Sequence, residues 1–435
     1  MMMMDSPAAP GTAPPPGPPR LLADLPPSGT WRTLAQHRAV YPAPPAPGRR
    51  PRTDLIDLVD ASGLRGRGGA GFPTGRKLRT VASGRRRPVV VANGTEGEPA
   101  SGKDRLLLAR LPHLVLDGAL VAAAAVGADL VVVCVDRHTA DAVAGLRRAL
   151  AERAGELAGV EVRLGATPPR YVAGEESALV HWVNGGPAKP TAVPPRPFEK
   201  GVDGRPTLVQ NVESLAHVAQ IARWGAEWFR ALGPADDPGT MLVSVTGAVG
   251  RPCVLETPVG TPVRSIVDAA GGTIGKAKAV LMGGFFGTWV PAADALAAPF
   301  SRAGLSPLGA APGAGIMVVL PEEACGVAET ARVLGWYAAE SAGQCGPCVF
   351  GLGDLGEVYR QLAAGRATPA DVARLERWAA QINGRGGCRH PDGAVRLLRS
   401  AVGVFGDDVA RHAHGQPCPA RAPVLRVPRS TDEWR

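Results

Sequence analysis

The hydrophobic pattern of the first half of the chain alternates between two periods. Apolar positions in 54–59 recur at helical spacing, with Thr53 as a plausible N-cap. β-branched runs and helical stretches then follow one another at 88–91, 105–126, 130–135, 139–151 and 160–164. Strands that alternate with helices of this length predict an α/β fold with a parallel sheet covered on both faces.

The pattern changes twice more along the chain. Beyond a Pro-rich link at 187–197 and a helical stretch to about residue 232, strand-like runs punctuated by glycine pairs predict a small α+β module. Helical periodicity dominates from residue 322. We therefore predict domains at 51–235, 236–320 and 321–420. Residues 1–50, rich in Pro, Ala and Gly, are expected to be a disordered tail, and 421–435 a second tail.

Composition excludes several classes of protein. Of 435 residues 45% are hydrophobic, too many for a wholly disordered chain. The net charge is +9, but the densest basic run, 85–87, has no interleaved aromatic residues, so nucleic acid is not an expected partner. The longest apolar run, 114–135, is interrupted by Asp117, Gly127 and Asp129, so no membrane span is expected. The N-terminus lacks a signal-peptide pattern, and a cytoplasmic protein is expected.

A glycine-dense loop at 63–75 is the first candidate for chemistry. Gly66, Gly68 and Gly71 have the GxGxxG spacing, but a helical segment precedes them where the dinucleotide fingerprint needs a strand. Their exposed backbone N–H groups allow a phosphate or a flat ring to approach closely. By itself this loop is better explained as a flexible connection than as a ligand site.

Three polar turns strengthen the case for a ligand. They lie at 93–99, 171–177 and 207–213, and the first follows a predicted strand directly. Because open α/β sheets bind ligands at the carboxyl ends of their strands, we expect these turns to line one polar cleft. Their acidic side chains suit ribose or ribityl hydroxyls.

Seven cysteines do not form a disulfide framework in a chain of this length. Cys345 and Cys348 form a CxxC pair that suggests metal or redox chemistry. Four others are isolated in sequence, and we interpret them as small buried hydrophobes: Cys134, Cys253, Cys325 and Cys418.

The segment 63–77, GLRGRGGAGFPTGRK, resembles the flavin loop of the NADH-oxidising, FMN-bearing subunit of respiratory complex I. Diaphorase subunits of NAD-reducing hydrogenases and formate dehydrogenases share this loop. NGTEGEP at 93, YVAGEESAL at 171, PTLVQNVESLA at 206 and ESAGQCGPC at 340 match in the same order. The resemblance covers about residues 53–410. It implies a Rossmann-like FMN domain, a β-grasp domain of the ubiquitin-like, soluble-ligand-binding type and a helical iron–sulfur domain.

The resemblance implies a reaction as well as a fold. Hydride would pass from NADH or NADPH to FMN, and single electrons would pass through a [4Fe–4S] cluster to a ferredoxin-like or other redox protein subunit. Phe72 would pack near the nicotinamide, and Glu98 and Glu176 would face the dinucleotide. The implied cofactor-binding residues are Gly66, Arg67, Gly68, Gly69, Phe72, Lys77, Asn93, Thr95, Glu96, Glu98, Tyr171, Gly174, Glu175, Glu176, Val209 and Asn211. The chain would work in the cytoplasm or at the periphery of a larger redox complex.

The chain departs from the family in its cluster motif. The first cysteine of the family's CxxCxxC is Ala342 here, which leaves Cys345, Cys348 and Cys388 as the implied metal ligands. A [4Fe–4S] cluster normally takes four ligands. Ser341, His390, water or a ligand from a partner are candidates for the fourth. Cys325 and Cys418 are further candidates, although the family often has a non-ligand cysteine at the position of Cys325. A [3Fe–4S] cluster and a degenerate site without metal are the alternatives.

The nucleotide pocket departs as well. The family's Lys-Pro-Pro-Phe-Pro stretch is Val-Pro-Pro-Arg-Pro at 193–197, and Arg196 is able to stack on adenine or to pair with a 2′-phosphate. NADH and NADPH therefore both remain open. Two alternative functions also remain: an electron-transfer adapter that uses no pyridine nucleotide, and a non-catalytic subunit of a redox complex.

Overall fold

The first module is built on a parallel sheet. The computed structural model describes residues 17–23, 25–45, 48, 50–157 and 159–435. Four strands, all parallel, stand in the order β3-β2-β1-β4. Their bounds are β1 Val89–Gly94, β2 Leu130–Asp136, β3 Glu161–Thr167 and β4 Thr207–Asn211. The predicted parallel α/β fold is confirmed.

Helices cover this sheet. They are α1 Leu34–Arg38, α2 Thr53–Ser62, α3 Thr74–Ala82, α4 Lys103–Arg110, α5 Pro112–Val126, α6 Ala140–Glu152, α7 Glu176–Val183, α8 Val212–Trp224 and α9 Ala226–Arg230. Every residue of α5 is buried. It packs closely on α8 at Gly118, which has no side chain. A Cβ added at this position would stand 1.8 Å from the Leu215 carbonyl oxygen of α8.

Two local predictions in this module are wrong. The stretch predicted as one helix over 105–126 is two helices, α4 and α5, bent by 97°. Pro112 at the first position of α5 lacks the N–H that would continue α4. Thr53 is the first residue of α2 rather than its N-cap, a position that Arg52 takes without a side-chain hydrogen bond.

The second module is a mixed five-stranded sheet in the order β6-β5-β9-β7-β8. Strands β5 and β9 are parallel, and the other pairs are antiparallel. The strands are β5 Thr240–Gly247, β6 Cys253–Pro258, β7 Ala277–Met282, β8 Thr288–Pro291 and β9 Ile316–Pro321. Three short helices accompany them: α10 Val263–Ala269, α11 Ala292–Ala297 and α12 Arg302–Leu305.

The third module is helical, and its core of buried side chains extends onto the second module's sheet, at Leu281 of β7 and Val318 of β9. Its helices are α13 Gly326–Ala339, α14 Gly353–Ala363, α15 Pro369–Ile382, α16 His390–Val404 and α17 Gly406–Ala413. The CxxC pair lies between α13 and α14, where a short π-helical segment spans Pro347–Leu352.

The predicted N-terminal tail is wrong for the described part of residues 1–50. Arg20 is 2% exposed and donates from Nη1 to the Phe229 carbonyl oxygen at 3.2 Å. His37 Nε2 lies 2.6 Å from Asp117 Oδ2 inside the core. The average composition of this segment does not show which side chains become buried. A few of them make ion pairs and hydrogen bonds that fix the segment to the core. Residues 1–16 lie outside the described residues.

The C-terminal segment 414–435, the C-terminal strap, is also packed rather than a tail. Leu425 is 2% exposed, and its N–H donates to Glu329 Oε2 at 3.0 Å. Further on, the guanidinium of Arg170 lies 4.1 Å from the ring centroid of Trp434. The strap therefore crosses from the helical module back to the first module.

Among the described residues, no single helix is both long and apolar enough to cross a membrane. Only α4 and α5 taken together meet that length and composition, and they are the sharply bent pair.

Arg67 joins the first and second modules. It is 6% exposed, donates from Nη2 to the Pro238 carbonyl oxygen at 3.3 Å, and lies 3.7 Å from Asp237 Oδ1. Its backbone N–H donates to Ser214 Oγ at 2.8 Å. The side chain is therefore part of a buried junction between modules.

We predict that Arg67→Ala lowers the free energy of unfolding by about 3 kcal/mol, because it leaves the carboxylate of Asp237 without its buried partner. Arg65→Ala is the matched control. Arg65 is half-buried and 3.9 Å from the same carboxylate, so its loss is expected to cost less than about 1 kcal/mol. Urea unfolding followed by tryptophan fluorescence measures both, and equal losses would contradict this account.

Candidate functional site

A cavity of about 930 Å³ opens where the three modules meet. It lies at the carboxyl ends of β1 and β4, which pair with Asn93 beside Asn211. The strand order reverses at this point, since β2 and β3 extend from one side of β1 and β4 from the other. Open α/β sheets bind ligands at such a position.

The glycine loop forms one wall of the cavity. Its ends are held together by the Gly66 N–H, which donates to the Phe72 carbonyl oxygen, and the Thr74 N–H, which donates to the Leu64 carbonyl oxygen, both at 2.9 Å. A Cβ on Gly68 would stand 3.2 Å from the Cβ of Asn211. The loop therefore presents bare backbone to the cavity, as a bound phosphate or flavin ring requires.

The first two polar turns are bonded to each other. Asn93 Nδ2 donates to the Gly174 carbonyl oxygen at 2.8 Å, and Thr95 Oγ1 donates to Asn93 Oδ1 at 2.8 Å. A Cβ on Gly97 would stand 2.6 Å from the Tyr171 carbonyl oxygen. The end of β1 and the turn before α7 thus form one rigid edge of the cavity.

Two of the predicted carboxylates hold helices in place. Glu96 accepts from the N–H groups of Asp104 at 2.9 Å and Arg105 at 2.8 Å, at the start of α4. Glu175 is the N-cap of α7 and accepts from the N–H of Ser177 and of Ala178, both at 3.0 Å. Both carboxylates line the cavity, where they fix the backbone around the site.

Glu98 and Glu176 also line the cavity. Glu98 Oε1 accepts from the Phe285 N–H of the second module at 3.0 Å, and burial raises the pKa of this carboxyl to about 7. Glu176 Oε2 lies 3.3 Å from Lys77 Nζ, which also donates to the Val209 carbonyl oxygen at 2.7 Å. The ammonium of Lys77 is thereby held over the sheet edge.

All the predicted cofactor residues line the cavity except Arg67. Assigning Arg67 to the flavin site was wrong as far as its side chain is concerned, because that side chain points into the module junction described above. The motif predicted the position of Arg67 in the loop correctly. The direction of its guanidinium is set by the ion pair with Asp237, which is distant in sequence.

Several cavity residues escaped prediction. Lys103 is 1% exposed, with Nζ 2.9 Å from Glu213 Oε2 and 3.3 Å from Asn211 Oδ1. Its place just beyond NGTEGEP was the signal that could have found it. Arg302 Nη2 donates to the Gly69 carbonyl oxygen at 3.3 Å, across 233 residues of sequence. No sequence signal marks Arg302, nor two further lining residues, Phe286 and Arg396.

Three cysteines form the second part of the site. The Cys348 thiol lies near Cys345 and the Ser341 hydroxyl. Burial raises the pKa of Cys348 to about 12, and neighbouring Cys345 and Cys388 act in the same direction. Cys388 also lines the cavity that the glycine loop encloses. Iron is the kind of cation that lets such buried thiols ionise together.

The donor set suits an iron–sulfur cluster but is one thiolate short of four. Ala342, 5% exposed, places a methyl group where the family has a thiol. The Ser341 hydroxyl beside Cys348 is the nearest replacement that the structure shows. His390 also remains a candidate, because its Nε2 lies 2.9 Å from the Tyr337 carbonyl oxygen and its buried Nδ1 has no hydrogen-bond partner within the described residues.

The fold and the site define a flavin- and iron–sulfur-dependent NADH oxidoreductase chain. The description "Nuo51 FMN-binding domain" matches residues 59–220, and "SLBB domain" matches 242–284. "NADH-ubiquinone oxidoreductase-F iron-sulfur binding region" matches residues 328–412. These matches confirm the predicted fold class, with FMN and an iron–sulfur cluster as the cofactors of this family.

Relatives match along most of the chain. The NADH-quinone oxidoreductase F 2 subunit of Rhizobium meliloti is 34% identical over 84% of this chain and 90% of its own length. The NADH-quinone oxidoreductase F subunit of Mycobacterium bovis is 32% identical over 91% of this chain and 93% of its own. The chain belongs to the family of NADH-quinone oxidoreductase F subunits, which confirms the predicted resemblance.

Solved structures of another NAD-linked redox protein have a similar fold. The crystal structure of an NAD⁺-reducing [NiFe]-hydrogenase in the H₂-reduced state superposes with a TM-score of 0.76 and 33% identity. The match covers 84% of this chain and 63% of that hydrogenase chain, so the hydrogenase chain is considerably longer. The air-oxidized state gives a TM-score of 0.77.

We predict that Gly68→Val abolishes FMN retention while the fold survives, because the added methyl groups would occupy the space between the loop and Asn211. Gly335→Ala is the control. Gly335 is exposed on α13, and a Cβ at that position would meet no atom within 4 Å. Flavin released by denaturation is quantified by fluorescence, and full FMN content in Gly68→Val would refute the placement.

We predict that Ala342→Cys changes the electron paramagnetic resonance spectrum of the cluster, because it offers the missing fourth thiolate. Ser341→Ala tests the nearest alternative donor and should change the same spectrum. An unchanged spectrum and iron content in Ala342→Cys would show that position 342 does not face the metal.

Proposed function

We propose that the chain takes a hydride from NADH onto FMN and passes electrons singly through a cluster at Cys345, Cys348 and Cys388 to a partner redox protein. One observation carries this proposal: Cys388 lies on the wall of the same cavity as the glycine loop and Phe72. A flavin in that cavity would be next to a cluster ligand, so no further carrier is needed between the two.

The chain's own residues would hold the flavin. The bare backbone of Gly66 and Gly68 would face the ring or its phosphate, and Lys77 would supply a cation at the sheet edge. Asn93 and Asn211 would offer amide groups from the ends of β1 and β4. When bound, FMN supplies hydride acceptance and one-electron release. The chain contributes orientation and electrostatics, with no side chain required to act as acid or base.

NADH would enter past Phe72. This ring is 49% exposed, an unusual position for phenylalanine that suits stacking on a flat nicotinamide. Glu98 and Glu176 line the same cavity, and Arg196 Nη1 is 3.9 Å from Glu176 Oε1. Carboxylates in this cavity favour ribose hydroxyls over a 2′-phosphate, so NADH is the expected donor.

Electrons would leave at the cluster. Val349 and Phe350, directly after Cys348, are 50% and 72% exposed. Exposed apolar side chains beside a redox centre suit contact with another protein chain. We propose a redox protein with its own cluster as that partner, within a larger complex.

The test uses the purified full chain under anaerobic conditions. We predict that stoichiometric NADH bleaches the visible absorption of the flavin and that NADPH does so much more slowly. Gly68→Val should lose the response because it loses FMN, whereas Gly335→Ala should keep it.

Each failure identifies a different function. A chain that holds FMN and iron but responds to neither nucleotide would be an electron-transfer adapter. A folded chain that holds neither cofactor, even after reconstitution, would be a non-catalytic subunit. Equal rates with NADH and NADPH would contradict the proposed discrimination.

A further inference from the structure

Three metal-ligating side chains meet in the third module, outside the flavin cavity. Cys325 Sγ, His412 Nε2 and Cys418 Sγ all lie within 4.8 Å of one another. His412 is fully buried, Cys325 is 7% exposed and Cys418 is half-buried. The route from NADH to the cluster uses none of them. Within the described residues, no further Cys, His, Asp or Glu joins this group.

The spacing of these atoms fits a single tetrahedral ion. With Zn–S near about 2.3 Å and Zn–N near about 2.0 Å, two ligand atoms on a tetrahedral zinc stand about 3.5 Å apart. Cys325 Sγ and His412 Nε2 are 3.5 Å apart. In the part of the chain that the structure describes, the three cysteines assigned to the cluster do not form such a tight group. The two sites therefore differ in size, one matching an ion and the other a cluster.

The imidazole of His412 has the orientation of a metal ligand. Its Nδ1 lies 3.1 Å from the Leu362 carbonyl oxygen, so the Nδ1–H donates there and the lone pair is on Nε2. Metal-ligating histidines are held by this kind of hydrogen bond. Nε2 accepts from the Cys418 N–H at 3.0 Å, a bond that an ion between the three ligands would replace.

Both thiols lie within reach of hydrogen-bond donors of the chain. Cys325 is the N-cap of α13, and its Sγ accepts from the Ala328 N–H at 3.4 Å. The Arg411 Nη2 group donates to Cys418 Sγ at 3.5 Å.

We propose that Cys325, His412 and Cys418 bind one zinc ion, with water as the fourth ligand. Binding forms two Zn–S bonds and one Zn–N bond, and the two thiol protons pass to solvent; nothing is oxidised or reduced. The site is separate from the cluster. Cys325 stands at the start of α13 and the CxxC pair follows its end, and 14 residues of helix span about 21 Å.

The zinc ion would anchor the C-terminal strap. It would join the start of α13, the last helix α17 and Cys418 of the strap. Val424 lies six residues beyond Cys418 in the strap, and its N–H donates to Glu329 of α13 at 2.9 Å. From there the strap runs to Trp434, which packs on Arg170 beside the flavin cavity. The ion would thus fix the strap at its beginning, and the contact between Trp434 and Arg170 would fix it at its end.

The experiment measures metal content of the intact chain, isolated without chelators. We expect about one zinc per chain, and less than about a tenth of that in Cys325→Ser and in His412→Gln. His412→Gln keeps a polar side chain of similar reach. Cys253→Ser, at an isolated half-buried cysteine, is the matched control and should keep its zinc. Cys345→Ser should keep zinc while it loses iron.

A second measurement covers variants that fail to fold. Co²⁺ added anaerobically to metal-free wild-type chain should give thiolate-to-cobalt absorption bands, and Zn²⁺ should abolish them. FMN content should stay unchanged throughout, which separates this site from the proposed flavin function. Absence of both zinc and cobalt bands would overturn the proposal. So would a Cys325–Cys418 disulfide in the freshly isolated protein, or zinc that disappears with Cys345→Ser.

Discussion

The whole site depends on a buried ion pair between two motifs that are about 170 residues apart. Glu340 Oε2 lies 3.3 Å from Arg170 Nε, and the two side chains are 3% and 2% exposed. The same carboxylate oxygen accepts from the Tyr171 N–H at 2.8 Å. Glu340 begins the segment that carries the CxxC pair, and Tyr171 begins the turn that borders the flavin cavity. A buried pair of this kind is costly to separate, so it fixes the cluster segment against the flavin module.

Aromatic rings reinforce that junction. The Tyr171 ring lies 5.1 Å from Trp336 and 5.8 Å from Tyr337 of α13, and 6.4 Å from Phe286 of the second module. All three modules thus contribute to a single cluster of rings. Rings in edge contact add roughly 1 kcal/mol per pair beyond the area that they bury. The cavity keeps its shape because its three walls share this core.

The acidic residues of the motifs have a common use. Glu96, Glu175 and Glu98 each accept backbone N–H groups at the edge of the cavity, and Glu213 accepts from the Leu242 N–H of β5 at 2.8 Å. A carboxylate that satisfies helix-terminal or inter-module amides holds backbone in position. Hydride transfer through a cofactor needs geometry more than acid–base groups, and these carboxylates provide geometry.

Sequence reasoning located this site because its elements are local in the chain. The β-branched runs, the glycine loop and the turns after β1 and β4 are each set by neighbouring residues, so periodicity and motif order were enough to predict them. The position of Glu98 in NGTEGEP was visible in the sequence. Its hydrogen bond to Phe285 was not, because 187 residues separate the two.

The predictions that failed concern contacts between residues that are distant in the sequence. Arg67 was misassigned because Asp237 is about 170 residues away, and Arg302 was missed because nothing near it in sequence suggests Gly69. The N-terminal segment looked disordered because composition counts apolar residues, whereas Arg20 and His37 are fixed by polar partners in α5, α9 and β6. Long-range polar pairing is specific to single atoms and leaves no periodic trace. A segment rich in Pro, Ala and Gly can therefore be anchored at a few positions that no signal averaged over a window would detect.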